Sequence, residues 1–385
     1  MRNALYICLG AIVVLAICLP ALLSSRGQPT ASPAPEQIAS DEHQKVIAAL
    51  KPPKRQRPAI ALIAANDGTE VADFLTAYGI LKESGVADVT AVAERQGAIR
   101  LYPNNLKAEA QATTAEFDAS YPEGADYVVV PALEQPDNAA VIAWLKQQHE
   151  KGATIVSICN GSLTMAAAGL LDGRKATGHW YSVKQIQKEH PSMERVRDRR
   201  YVVDRGIATS TGITASLPLM TTLVEAIGGR DVASRLATRI GLDNWDARHT
   251  TSAFQLTLEH RKTFIRNKLS VWRDENVGIK LNDGVDEIAL GLMADAYART
   301  ELTELIAANG GAGGQVQSRR GLTLQFDAPT KSVAFAVEPP RDQPARVIDR
   351  ELSRIATRYD APTAAFVALT MEYPWSGPQA RLVRD

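Results

Sequence analysis

The 385 residues contain three cysteines, Cys8, Cys18 and Cys159. The first two fall inside an apolar N-terminal run, which leaves one thiol for the rest of the chain. That thiol has no internal disulfide partner, and the chain has no Cys-rich zinc set. Its neighbours are Ser157, Ile158, Asn160, Gly161 and Ser162. A small residue two before the cysteine and a glycine two after it match the spacing of a nucleophile elbow, the sharp strand-to-helix turn whose small neighbours let backbones approach. Such a turn holds Cys159 above a sheet and at a helix N-terminus. The unpaired N–H groups and helix dipole there predict a lowered thiol pKa and donors for an oxyanion. A cysteine that merely packs is the common case, but the strand–small–x–Cys–x–Gly–helix context reads instead as a reactive thiol.

Positioning this residue requires alternating strands and helices. The apolar runs 59–65 and 126–132, the strand candidate 88–94 and "TIVSIC" (154–159) read as buried parallel strands. Between them, Phe74, Ala77, Tyr78 and Leu81 recur at helical spacing, with Gly85 as a stop. "NAAVIAWLKQQHEKG" and "SLTMAAAGLL" read as further helices. The pattern predicts an α/β fold with a parallel sheet sandwiched by helices. Ligands in such sheets bind at the carboxyl ends of strands, which is where "TIVSIC" ends.

The string "IVSICNGSLTMAAAGLLDGRKATGHW", with the later "GIATSTGITASLPLMTTLVEAIGG", resembles the ThiJ/PfpI superfamily of glutamine-amidotransferase-like proteins. The branch it resembles includes isocyanide hydratases and the amidase-like domains of AraC-type regulators. The resemblance covers residues 59–240. It implies a flavodoxin-like sandwich, often a homodimer, with the cysteine at the elbow. It also places Asp73 as the acid facing Cys159, where a carboxyl could exchange a proton with the thiol. Glu70 is the alternative acid, and a plain helix N-terminal acid is the bland reading of either. His179, in "ATGHW", is a candidate base, with packing beside Trp180 as the alternative. Asn160, Gly161, Ala132, Leu133 and Thr214 are expected at the pocket or the oxyanion site. This chain departs from the branch at two places. Asn160 follows the cysteine where isocyanide hydratases usually have Thr, and Pro131-Ala132-Leu133 stands where the family often has Pro-Gly-Gly.

Lys+Arg and Asp+Glu both number 43, so no global field draws in nucleic acid and no acidic surplus suggests metal storage. No cofactor or metal is expected. From Leu5 to Leu23 the chain is apolar, flanked by Arg2 and Arg26, long enough for a single-pass membrane anchor in residues 1–26 with the soluble domain on the outer side. A cleaved signal segment is the competitor. Residues 27–58 read as a Pro/Ala-rich spacer with one short helix around "KVIAAL" and a solvated basic run.

Residues 241–385 lie beyond the resemblance and read as an α+β extension. "VGIKL" is a strand candidate, 285–299 a helix, "NGGAGGQ" a turn, and "GLTLQFD" with "SVAFAVEP" a hairpin. Two helices follow. No helix-turn-helix with a basic recognition face is present, which separates the chain from DNA-binding regulators. Two functions are consistent with these features. One is a membrane-tethered cysteine-dependent hydrolase or hydratase on a small electrophilic substrate. The other is a non-catalytic module that senses a small ligand or an oxidant.

Overall fold

A computed structural model describes residues 38–377 except 53, 105, 271–274, 309–313 and 328–331. The apolar run Leu5–Leu23 therefore lies outside the described residues. Among the described residues no helix is long and apolar enough to cross a membrane.

After helix α1 (Ser40–Ala49) the chain enters the fold through β1 (Ala59–Ala64), whose six residues are all buried. Continuous burial explains the unbroken apolar run, since both faces of a central parallel strand are covered. The short β2 (Thr69–Glu70) leads into α2 (Val71–Ser84), then β3 (Asp88–Ala93), the hairpin β4 (Ala98–Tyr102) and β5 (Leu106–Glu109), and β6 (Ala112–Thr113). Helix α3 (Thr114–Ser120), β7 (Tyr127–Val130), α4 (Ala139–Glu150), β8 (Thr154–Ser157) and α5 (Gly161–Ala167) follow. A two-stranded ladder of β9 (Lys175–Ala176) and β10 (Glu194–Arg195) flanks α6 (Val183–Glu189). Then β11 (Tyr201–Asp204), β12 (Ile207–Ser210), α7 (Ser216–Gly228) and α8 (Arg230–Ile240) complete this part.

The main sheet runs β11-β12-β8-β7-β1-β3-β6, with only β11 antiparallel to its neighbour. Its core order β3-β1-β7-β8-β12 is the flavodoxin-like 2-1-3-4-5 arrangement, which gathers the carboxyl ends of β1, β7 and β8 at one edge. Helix α2 is fixed at both ends. The Glu70 side chain accepts the Asp73 N–H at its start, and Gly85 (φ 68°) ends it in the left-handed region that glycine adopts without a Cβ penalty.

Lys54 and Arg55 are tied down, in contrast to the expected solvated spacer. Buried Asp126 accepts the backbone N–H groups of Lys54 and Arg55 (both 3.1 Å) and of Ala59 (2.9 Å), and the Arg55 guanidinium (2.6 Å). A carboxylate placed where β7 begins collects these donors, and the basic run supplies them. Helix α1 packs on α7, with His43 at 3.2 Å from Glu225.

The remaining chain contributes α9 (Leu258–Leu269), β13 (Glu275–Ile279), α10 (Glu287–Ala298), β14 (Thr303–Ala307), β15 (Gly314–Gln317), β16 (Thr323–Phe326), β17 (Phe335–Val337), α11 (Val347–Arg358) and α12 (Ala361–Thr370). The hairpin expected between 321–327 and 332–339 does not form. Instead β16 pairs with β15 on one side and with β5 on the other, and β17 lies parallel to β13. The Gly314-Gln315 end of the predicted glycine-rich turn is thus the start of a strand. β14, β13 and β17 form a parallel sheet of their own, so this extension has α/β connectivity rather than the expected α+β layout. Helix α10 packs along α2.

Candidate active site

Cys159 sits two residues past the end of β8 with φ 53° and 3% of its surface exposed. A non-glycine residue in the left-handed region is a strained conformation, and the elbow around it is heavily determined. Ile158 N–H donates to the Val130 carbonyl (2.9 Å), Gly161 N–H to the Ile158 carbonyl (2.7 Å), and the Ser162 hydroxyl to the Cys159 carbonyl (2.9 Å). A Cβ on Gly161 would stand 2.2 Å from the Val130 carbonyl oxygen, so only glycine lets the elbow lie against β7. The Cys159 N–H approaches the Ser210 hydroxyl at 3.4 Å.

Two acids at the start of α2, the cap residue Glu70 and Asp73, act electrostatically on the thiol. Asp73 is fully buried. One carboxyl oxygen accepts the Ala132 N–H (3.0 Å), and the other has no hydrogen-bond partner. Glu70 accepts the Asp73 N–H (2.7 Å) with one oxygen, and its other oxygen lies 3.9 Å from the Arg299 guanidinium. Arg299 follows α10 and is held by Asp295 at 2.6 Å. Tyr102, at the end of β4, shares this electrostatic environment. Sequence reasoning named Cys159, Asp73 and Glu70. It did not name Tyr102, Arg299 and Asp295, because nothing local to those residues points to a cluster that the end of α10 joins from far along the chain.

Burial sets the protonation of the group. It raises the Asp73 carboxyl to about 7, with the Ala132 N–H opposing. Glu70 is pushed well up by burial, then by the charges of Asp295 and Asp73, against Arg299. The Cys159 thiol is pushed well up by burial first and the Asp73 charge second, while Arg299 and the Asn160 N–H pull the other way. The lowered pKa expected from the helix N-terminus is therefore overturned. Helix α5 is seven residues long, and its dipole does not outweigh burial beside two carboxylates.

The other expected site residues are placed as follows. His179 is directed away from a base role. Its Nδ1 accepts the Tyr181 N–H (3.3 Å), so Nε2 donates to the Thr370 carbonyl (3.0 Å), and burial lowers its pKa toward the neutral ring. Thr214 is not a free pocket wall, since its hydroxyl donates to the Glu372 carbonyl (2.9 Å). The N–H groups of Ala132 and Gly161 are engaged with Asp73 and Ile158, so neither is a ready oxyanion donor. Asn160 accepts the Ser182 hydroxyl (2.5 Å) and ties the elbow to the turn after His179. Leu133 is 3% exposed and packs in the apolar cluster of α4 and α5. The C-terminal turn covers this side of the site. Trp180 donates to the Leu369 carbonyl (2.9 Å), and Gly212 has no room for a Cβ beside Glu372. Among the described residues no group of three His, Cys, Asp or Glu is arranged to hold a metal.

A strained, buried thiol beside a carboxyl that titrates near neutrality can add to an electrophilic carbon while its proton passes to the carboxylate. Parts of the chain are similar to known proteins. The HTH-type transcriptional regulator CdhR of Pseudomonas aeruginosa is 35% identical over 103 residues, 27% of this chain and 30% of the regulator. The regulator GlxA of Rhizobium meliloti is 35% identical over 101 residues, 26% of this chain and 31% of its own length. The isonitrile hydratase of Pseudomonas putida is 31% identical over 99 residues, 25% of this chain and 41% of the hydratase. The chain thus spans less than half the length of each of these relatives. Among solved structures, Drosophila melanogaster DJ-1beta is 23% identical, with a TM-score of 0.42 over 47% of this chain and 96% of that one. The DJ-1/PfpI family model matches from β1 into α7, and residues 59–226 of this chain are a DJ-1/PfpI-family domain.

Proposed function

We propose that this protein is a cysteine-dependent hydrolase or hydratase acting on a small electrophilic compound. Cys159 Sγ forms a bond to the electrophilic carbon, its proton passes to Asp73, and Asp73 returns that proton to the heteroatom of the substrate. Water then releases the product. The observation that carries this reading is the pairing of a strained elbow thiol with a buried carboxyl raised to about 7. A general base works best when its pKa lies near the working pH. The similarity to an isonitrile hydratase supports a carbon electrophile of that size.

The test is turnover of full-length protein on aryl isonitriles, 2-oxoaldehydes and primary amides. Cys159→Ala is expected to lose about a thousandfold or more on whichever compound the wild type converts. Equal turnover by the variant would end the proposal. A second reading, a ligand-binding module without turnover, is supported by the similarity to the regulators CdhR and GlxA. Saturable binding of a panel compound with no conversion would favour it. An oxidant sensor fits less well, because oxidation needs an accessible thiolate and this thiol is buried with a raised pKa.

The same proposal keeps residues 5–23 as a membrane tether with the domain on the outer side. The protein is then expected to stay in the membrane pellet through alkaline carbonate washing. Release into the supernatant would contradict the tether.

A further inference from the structure

The C-terminal extension repeats the first half of the elbow domain. Asn66-Asp67-Gly68 recurs as Asn282-Asp283-Gly284. The same shift along the chain carries Glu70, the cap of α2, onto Asp286, the cap of α10. It also carries Gly85 (φ 68°), just past α2, onto Glu301 (φ 58°), just past α10. The topology repeats as well. β14-β13-β17 is the order of β3-β1-β7, all parallel, and the hairpin β15–β16 corresponds to β4–β5. Thr69 pairs in parallel with Leu101 in the first half, and its equivalent Val285 pairs in parallel with Ser318, one residue past the equivalent of Leu101. Helix α11 packs on α10 as α7 packs on α2.

The two halves meet as two copies of one subunit would. The shift that aligns the helices also carries Ala108 onto Leu324, and these two residues face each other where β5 pairs antiparallel with β16. It carries Leu75 onto Gly291, and a Cβ on Gly291 would stand 3.1 Å from the Leu75 Cβ where α2 crosses α10. Both contacts pair a position with its own equivalent, the signature of an isologous two-fold interface. The equivalent cross-helix positions are also linked twice, once directly and once through a bridging arginine. Arg299 of the second copy lies 3.9 Å from Glu70 of the first. Its equivalent, Glu83, binds Arg320 (2.9 Å), which in turn holds Asp286, the equivalent of Glu70 (2.9 Å). The second copy has no counterpart of the elbow strand β8 among the described residues. Its carboxylates at the equivalent place, Asp286 and Glu287, are closed by Arg320.

We propose that residues 275–370 are a degenerate internal copy of the domain that occupies the place of a second subunit and supplies Arg299 as a positioning residue for the Cys159 site. Arg299 balances Glu70, Asp73 and Asp295, and with them sets the protonation of the thiol. The proposal does not depend on which compound the protein converts.

Two measurements on the full-length chain in mild detergent, with Cys8 and Cys18 replaced by alanine, test it. First, Ala108→Cys alone and Ala108→Cys with Leu324→Cys are oxidised and examined on a non-reducing gel and by intact mass. Paired residues on adjacent strands lie within disulfide reach. The double variant is expected to close an intrachain bond, and Ala108→Cys alone to remain a single chain. A disulfide-linked pair of chains from Ala108→Cys alone, or no bond in the double variant, overturns the internal-copy arrangement. Second, Cys159 alkylation is followed against pH in Arg299→Gln, Arg299→Lys and Asp295→Asn with Arg299→Gln, the last lacking the unbalanced Asp295 charge. Both glutamine variants are expected to shift the curve upward by about half a pH unit or more, with Arg299→Lys close to wild type. An unshifted curve in either folded glutamine variant overturns the role of Arg299.

Discussion

Replacing Asp73 with asparagine is expected to lower turnover about a hundredfold or more, the range for loss of a positioned proton carrier, while making the folded protein more stable at pH 8. The two effects have one cause. Asp73 is fully buried and its carboxyl is raised to about 7, against an ordinary value near 4. Below about pH 4 the group is protonated whether the chain is folded or not. Between about 4 and 7 the unfolded chain gives up the proton and the folded protein keeps it, so stability falls as pH rises through that window and is level above it. Asparagine never ionises, retains an oxygen for the Ala132 N–H, and escapes this loss. A gain of about 2 kcal/mol at pH 8 is expected by urea unfolding, shrinking to nothing near pH 4. A variant less stable than wild type at pH 8 would show that the Asp73 carboxylate is stabilised by partners that the structure does not give it.

The largest effect on folding is expected from Gly161→Ala. Its Cβ would meet two backbone carbonyl oxygens, Val130 at 2.2 Å and Pro131 at 3.1 Å. Neither can rotate away as a side chain would. Relief requires moving the start of α5 from the end of β7, which breaks the bond from Ile158 N–H to the Val130 carbonyl and displaces Cys159. A loss of about 3 kcal/mol is expected, read as a drop of about 10 °C in melting temperature. Cys159 should become more readily alkylated as the elbow opens. Gly173→Ala, at φ 65° with nothing within 4 Å of its Cβ, is the control for backbone strain without the clash and should cost about 1 kcal/mol.

The domain was legible in the sequence because its signals are local. The run 59–64 is apolar without interruption because both faces of β1 are covered, and the small residues around Cys159 are demanded by the turn itself. Asp73 was named through the family resemblance, since an acid in the first turn of a helix carries no local sign of a thiol opposite it. The direction of the Cys159 pKa was not. A helix N-terminus is visible in a sequence, whereas the burial and the two carboxylates that outweigh it are properties of packing. His179 misled because the sequence shows a histidine after the elbow but not the Thr370 carbonyl that takes its proton. Thr214 misled likewise, because its partner Glu372 lies far along the chain. The role of the basic residues at 54–57 depended on Asp126, which in the sequence is only an acid before a strand. One signal for Arg299 was present, the repeated Asn-Asp-Gly at 66–68 and 282–284, legible only when the two halves are laid over each other.

The central claim is that Cys159 rests as a protonated thiol whose ionisation is opposed first by burial and then by the charge of Asp73. The most direct measurement is the rate of Cys159 carbamidomethylation from pH 6 to 10.5, followed by intact mass in the chain with Cys8 and Cys18 replaced by alanine, with and without Asp73→Asn. The expected result is a rate with Asp73 in place still rising above pH 9, with the Asp73→Asn curve displaced to lower pH. A rate with Asp73 in place already level at pH 7, or curves that coincide, would contradict it.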